Sequence, residues 1–349
     1  MTAALVDRLL PALGENGVLG LGEPTHGSAE AVAWKFEIIH DLARRGLLAT
    51  LAVEESYAVG RRVDAALRGE GDLDAAWDLG SSLWNTTTIR KGMRRLRRIG
   101  GGVGFVGFDV SKPYLTARAL LALGHEGPVL RAVAARTMLG GEDVAALENL
   151  CRAIEADEDR CSAPLARQLR RYADAYLAAP DLARLHRRDV HMARTLLENL
   201  PAQGITVVWA HNEHLARTPD SFGGPAMGYV LHDVLGDRYV PVGVLCGEGE
   251  CRAVDPSTGS DDYSAVPLPS IRPGTTEDAL RALGTGFVTT EEFTHPGPRR
   301  FLGWAIDTSL FDQPEASRAT FEVNRPSTDF AALAYLPWST ADVTAPASA

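Results

Sequence analysis

Val18-Leu19-Gly20-Leu21-Gly22-Glu23-Pro24-Thr25-His26-Gly27 begins as a short apolar run and ends abruptly in glycine, acid and imidazole. The apolar part is too short for a helix and is closed by Gly and Pro, which reads as a buried strand running into a turn. From Ala29 to Arg45 the apolar positions Val32, Phe36, Ile39, Leu42 and Ala43 recur at mostly three- and four-residue steps, and Gly46 supplies a stop. Strand, polar turn and helix form the opening unit expected of an α/β sheet.

Working outward, further apolar runs rich in β-branched residues precede polar residues at Thr50 to Val53, Val103 to Phe108, Ile205 to Trp209, Tyr239 to Leu245 and Phe330 to Leu336. Continuous rather than alternating hydrophobicity marks strands buried on both faces. Helical patterns at Tyr57 to Arg68 and Arg90 to Arg98 continue the alternation. The fold class is therefore α/β, with a mostly parallel central sheet flanked by helices. Residues 113–200 are helical in pattern with no strand among them, too long for one crossover, and read as a helical insertion or cap lobe. Residues 1–112 are then the first part of the α/β core, 201–340 the second, and 341–349 a flexible tail. Cys251 to Gly274 and His295 to Pro314 read as loops.

The 349 residues carry a net charge of −10, which argues against nucleic-acid or anionic-membrane partners, since these demand a basic face. The one cationic run, Arg90-Lys91-Gly92-Met93-Arg94-Arg95-Leu96-Arg97-Arg98, reads as a solvated helix face or a contact for an acidic partner. Cys151, Cys161, Cys246 and Cys251 fit neither a metal pattern nor a disulfide framework and read as free thiols. The N-terminal run is broken by charge too early for a signal peptide, and no stretch is long enough to span a bilayer. A cytoplasmic protein acting on a small molecule is expected.

The chemistry lies where the polar residues fall. Glu23 and His26 follow the first strand, Glu54 and Glu55 the second, Asp109 the third, and His211 and His214 the fourth. Ligands of open parallel sheets bind outside the carboxyl ends of the strands, so these groups are expected to share one cleft. Singly, each acid is as readily a helix cap or an arginine partner, and each histidine a hydrogen-bonded core residue. Together they supply the mix of imidazole and carboxylate that acid/base chemistry needs. A divalent metal such as zinc or manganese is the rival occupant, since Glu23, His26, Glu54, His211 and His214 offer nitrogen and oxygen donors.

Gly22-Glu23-Pro24-Thr25-His26-Gly27, Val53-Glu54-Glu55 and Trp209-Ala210-His211-Asn212-Glu213-His214 resemble, in order, three signature segments of the erythromycin esterase family. Gly107-Phe108-Asp109 and Met227-Gly228-Tyr229-Val230-Leu231 extend the resemblance, and the helical insertion does not. The resemblance implies an α/β core with a helical lobe and a cofactor-free esterase in which histidine activates water. It places His26 as general base, Glu54 as its acidic partner, Glu23 and His211 beside them, and His214, Asp109 and Glu55 toward substrate. Lys35 stands where the macrolide esterases carry arginine; helical spacing from His26 puts it toward the same cleft.

No GxSxG serine elbow is present, and Gly100-Gly101-Gly102-Val103-Gly104 precedes its strand where a nucleotide loop follows one. His186, Arg187, Arg188 and His191 read as surface residues of one helix. The function expected is hydrolysis of an ester or lactone of a small natural product. A biosynthetic tailoring enzyme using the same groups for elimination, cyclisation or transfer, and a non-catalytic small-molecule-binding protein, are the alternatives.

Overall fold

The computed structural model describes residues 2–344 apart from 179, 180, 222, 283 and 285. Its strands are β1 (Val18–Leu21), β2 (Leu48–Ser56), β3 (Gly104–Asp109), β4 (Ile205–Trp209), β5 (Tyr239–Ala253), β6 (Ser264–Pro267), β7 (Gly286–Thr289), β8 (Arg299–Arg300), β9 (Glu322–Val323) and β10 (Ala332–Ser339). The main sheet has the order β3-β2-β4-β1-β5-β10-β7. All neighbours pair in parallel except β7, which runs antiparallel to β10 at the edge. This is the mostly parallel α/β sheet the hydrophobic runs imply.

Helices α1 (Thr2–Leu13), α2 (Ala29–Arg44), α3 (Tyr57–Leu67), α4 (Leu73–Asp78) and α5 (Thr87–Ile99) cover one face. Helix α2 starts where Ser28 accepts a hydrogen bond from the Ala31 backbone N–H, and it stops at Gly46, whose φ of 69° favours glycine. In α5 the cationic run divides. Arg90 is buried against Asp78 and Asn85, and Arg94 pairs with Asp74.

Helices α6 (Pro113–Ala122), α7 (Pro128–Ala134), α8 (Gly141–Ala156) and α9 (Ala163–Tyr172) share their own apolar core around Leu130, Leu147, Leu165 and Leu169, and dock on α3. The next helix, α10 (Asp181–Glu198), buries Met192, Ala193 and Leu196 against the second face of the sheet, with α11 (Asn212–Leu215) and α12 (Met227–Leu235) beside it. The segment read as 113–200 thus divides by packing: α6–α9 form a lobe, and α10 belongs to the layer over the sheet.

Two other readings change. Strand β5 runs on to Ala253 and pairs with β6, so the stretch from Cys251 to Gly274 is partly strand. Its exposed residues Glu248 and Glu250 interrupt the apolar run, which hides the strand's continuation to buried Cys251 and Ala253. Residues 341–344 are also held. Asp342 accepts a hydrogen bond from Thr88 Oγ1 at 2.7 Å, and Ala341 and Thr344 bridge to Ser28 and Thr86. Residues 345–349 lie outside the described residues. Among the described residues no helix is long and apolar enough to cross a membrane, and the four cysteines are free thiols.

Candidate active site

The loop after β1 is locked before any chemistry is considered. Asn212 donates from Nδ2 to the Val244 carbonyl at 2.8 Å and accepts from the Val244 N–H at 3.0 Å, tying the loop after β4 to β5. A Cβ on Gly22 would lie 2.1 Å from Asn212 Oδ1, and one on Gly27 would lie 2.0 Å from the Arg252 carbonyl oxygen. Only glycine lets these segments approach so closely.

Between those glycines, Glu23 is fully buried. Its Oε1 lies 2.5 Å from His26 Nδ1, while Oε2 accepts from Trp209 Nε1 at 2.8 Å and from Lys35 Nζ. Burial drives the carboxyl upward, but the Lys35 charge and the His26 hydrogen bond outweigh it and hold Glu23 at about 2. Burial in turn pulls Lys35 down to about 8, against the pull of Glu23. Lys35 is 0 % exposed, with Nζ 3.9 Å from the centre of the Trp209 ring. It therefore lies behind Glu23 and does not line the cleft, because α2 turns its side chain inward under β1 and β4.

His26 presents its ring edge-on to Trp84 at 5.1 Å and lies 5.3 Å from the His211 ring. An anionic Glu23 fixes Nδ1 as the donor, leaving Nε2 as the acceptor. The carboxylate that orients His26 is thus Glu23 of its own turn, not Glu54. A β-bulge explains where Glu54 goes. Between Val53 and Ser56, β2 carries one residue more than β3, which re-aims both glutamates.

Glu54 Oε1 accepts from Arg188 at 2.7 Å and lies 3.3 Å from His214 Nε2; Oε2 accepts from the His211 backbone N–H at 3.2 Å. Glu55 instead accepts from Lys112 Nζ at 2.9 Å and from the Ser81 N–H at 2.5 Å, fastening the turns that precede α5 and α6. Asp109 receives Arg188 Nε at 2.9 Å and Nη2 at 3.0 Å. His214 Nδ1 lies 2.8 Å from Asp189. Burial opposes ionisation of His214, yet Asp189 and Glu54 overcome it and raise the imidazole to about 10. His214 is therefore an imidazolium, and its 3.2 Å approach to Arg188 Nη1 joins two donors and is not a hydrogen bond.

His211 is different. Its Nε2 lies 3.3 Å from the Pro24 carbonyl and 3.2 Å from the Leu302 carbonyl, so Nε2 donates; Nδ1 accepts from the Glu213 N–H at 3.3 Å. Burial, with His26 nearby, lowers it to about 4, so the ring is neutral with both nitrogens engaged. The loop bearing Leu302 is anchored by fully buried Arg299, which donates to Glu213 at 2.9 Å.

These groups border a cleft of about 520 Å³, within the usual range for small-molecule sites. His26, Glu54, Glu55, Asp109, His211 and His214 all reach it; Glu23 and Lys35 lie behind its wall. Leu83, Trp84, Leu185, Phe301 and half-exposed Trp304 supply the apolar lining. The sequence pattern puts Arg188 and His191 on a surface helix and gives Asp189 no role, yet Arg188 and Asp189 sit at the centre of the charge network, and Asp189 and His191 are buried. The signal was present: one helical turn beyond them lie Met192 and Ala193, the apolar face of α10. Among the described residues no group of three or more His, Cys, Asp or Glu is arranged to hold a metal ion.

Solved structures match over nearly the whole chain. A succinoglycan biosynthesis protein is 16% identical over 97% of this chain and 92% of its own, with a TM-score of 0.75. A Bacillus cereus protein is 18% identical over 97% and 92%, with a TM-score of 0.73. A histidine mutant of the erythromycin esterase EreC, in its open conformation, is 18% identical over 96% and 94%, with a TM-score of 0.67. No curated protein sequence matches significantly. The erythromycin esterase family matches residues 142–338, more than half of the chain, a span that holds Arg188, Asp189, His211 and His214. On that match the chain belongs to the erythromycin esterase family.

Proposed function

We propose that the protein is a carboxylic ester hydrolase, acting on an ester or lactone of a small natural product with His26 as general base. The observation that carries this reading is the Glu23–His26 pair, in which a buried carboxylate held ionised by Lys35 leaves His26 Nε2 as the lone-pair acceptor at the cleft. Nε2 takes a proton from water as the water oxygen bonds to the ester carbonyl carbon. The carbonyl oxygen becomes an oxyanion beside Arg188 and the His214 imidazolium, whose positive charges oppose its own. The C–O bond then breaks, and the proton on His26 passes to the departing alkoxide. Acid and alcohol are the products.

Glu54 and Asp109 serve in this reading by holding Arg188 and His214, and His211 by holding the loops at Pro24 and Leu302. In this reading His26 activates water without a metal, and Glu23 and Glu54 accept hydrogen bonds from the cationic side chains of Lys35 and Arg188. The test is a panel of macrolide lactones and simple aryl esters, with products identified by mass. A gain of one water with ring opening or release of acid supports hydrolysis; loss of water or transfer of a group without net hydration sinks it.

A further inference from the structure

A second cavity, of about 370 Å³, opens in the helical lobe and shares no lining residue with the catalytic cleft. Its walls are Val133, Leu139, Leu177 and the rings of Tyr114 and Tyr172. Tyr172 is held in place by stacking on Tyr176 at 5.1 Å, across the π-helical turn Ala173–Leu177. π-helical turns of this kind gather at functional sites. The wall is therefore built in advance of any ligand.

Charge is the second observation. The Tyr114 ring is flanked by two guanidiniums, Arg136 at 3.8 Å and Arg118 at 5.5 Å from its centre. Neither pairs with a carboxylate among the described residues; Arg118 donates from Nε to the Ala134 carbonyl at 3.1 Å. The chain has 45 acidic residues against 35 basic ones, so two arginines without acids on one ring do not reflect a shortage of partners. Arg136 also holds a left-handed backbone, φ 61°, where a non-glycine residue is strained. Beside it Met138 is 94% exposed, an apolar lip to the same opening.

We propose that this pocket is a second ligand site, for a small amphipathic anion: an apolar body seated between Val133, Leu139 and Tyr172, and one carboxylate at Arg136. Guanidinium matches carboxylate geometry with paired donors, and the apolar walls account for the body. The site stands whether or not the cleft hydrolyses esters.

Calorimetric titration of the full chain with decanoate, and with 1-decanol as the uncharged match, tests it. Decanoate should bind at one site per chain, about tenfold more tightly than decanol, the worth of one charge-assisted hydrogen bond. Arg136→Gln, at an exposed position that leaves the fold intact, should remove that difference. Leu139→Trp should fill the pocket and abolish both. Absence of decanoate binding at millimolar concentration, wild-type affinity in Arg136→Gln, or loss of binding in the cleft variant Trp304→Ala would each overturn the proposal.

Discussion

Glu23 Oε1 and His26 Nδ1 lie 2.5 Å apart within a single turn, three residues from each other in sequence. The base and the acid that sets its tautomer therefore travel on one rigid loop, pinned by glycines at both ends. His26→Ala is expected to lower kcat by about 10²–10⁴-fold with substrate affinity nearly unchanged, since a general base acts in the transition state. Glu23→Gln should cost as much, because an amide can donate to Nδ1 and present the wrong tautomer. That variant also strands buried Lys35. Glu23→Gln combined with Lys35→Met should recover melting temperature without recovering kcat. Recovery of turnover in the double variant would remove Glu23 from the mechanism.

The two histidines after β4 carry opposite titration signs. His214 is raised from 6.5 to about 10, so the stability it contributes is complete below pH 6.5 and is lost as pH rises toward 10. His211 is lowered from 6.5 to about 4, so its contribution is complete above pH 6.5 and is lost as pH falls toward 4. Stability should therefore peak near pH 6.5. Lys35, lowered from 10.5 to about 8, works against the His214 loss only above pH 8. Between pH 6.5 and 8 the decline should approach about 1 kcal/mol per pH unit by denaturant unfolding, and His214→Asn should flatten it. Imidazole ¹⁵N spectra supply the direct reading. A neutral His214 at pH 7, or a charged His211, would contradict the hydrogen-bond assignments.

Exhaustive chelation should leave the hydrolysis rate unchanged. Glu23 and Glu54 are already committed to Lys35, Trp209, Arg188 and His214, and His211 has both nitrogens engaged, so a metal would have to displace these partners. Rate loss on chelation with return on adding zinc or manganese would make the rival occupant the correct one.

The strand ends were legible because each buried parallel strand is a continuous apolar run, and its first polar residue marks the exit from the sheet, as at Leu21, Val53, Phe108 and Trp209. What each exit residue touches was not legible. Glu54 parts from His26 because of a bulge in β2, and a bulge exists only in the register between two strands. Helical spacing directs Lys35 toward the cleft, but spacing fixes a face and not which side of a sheet that face meets. Phe301 and Leu302 reach the site through the pairing of two-residue strands β8 and β9, too short to leave a period. Arg188 was obscured by the polar residues around it, whose excess of charge outweighed the apolar stripe one turn further on.

That residue gives the sharpest test of how α10 and the strand ends meet. Arg188 spans Asp109 at the end of β3 and Glu54 at the end of β2, with its side chain only 14% exposed. Burial opposes its charge, but Asp109 and Glu54 hold it firmly protonated, and it in turn helps keep both carboxyls below their ordinary range. Arg188→Ala leaves two buried carboxylates near one another, with the His214 cation beside Glu54 alone. Removing one partner of a buried ion pair typically costs about 3–5 kcal/mol, so a large fall in melting temperature is expected together with loss of turnover. Arg188→Lys separates the two effects. Lysine keeps the charge but cannot bridge both acids with a planar fork, so most of the stability should return while kcat stays depressed. Asp109→Asn should relieve Arg188→Ala in part, since one of the stranded charges is then gone, and a double-mutant cycle reads that coupling directly. If Arg188→Ala melts and turns over like wild type, the charge network is not what joins α10 to the strand ends, and Arg188 has no part in the oxyanion site.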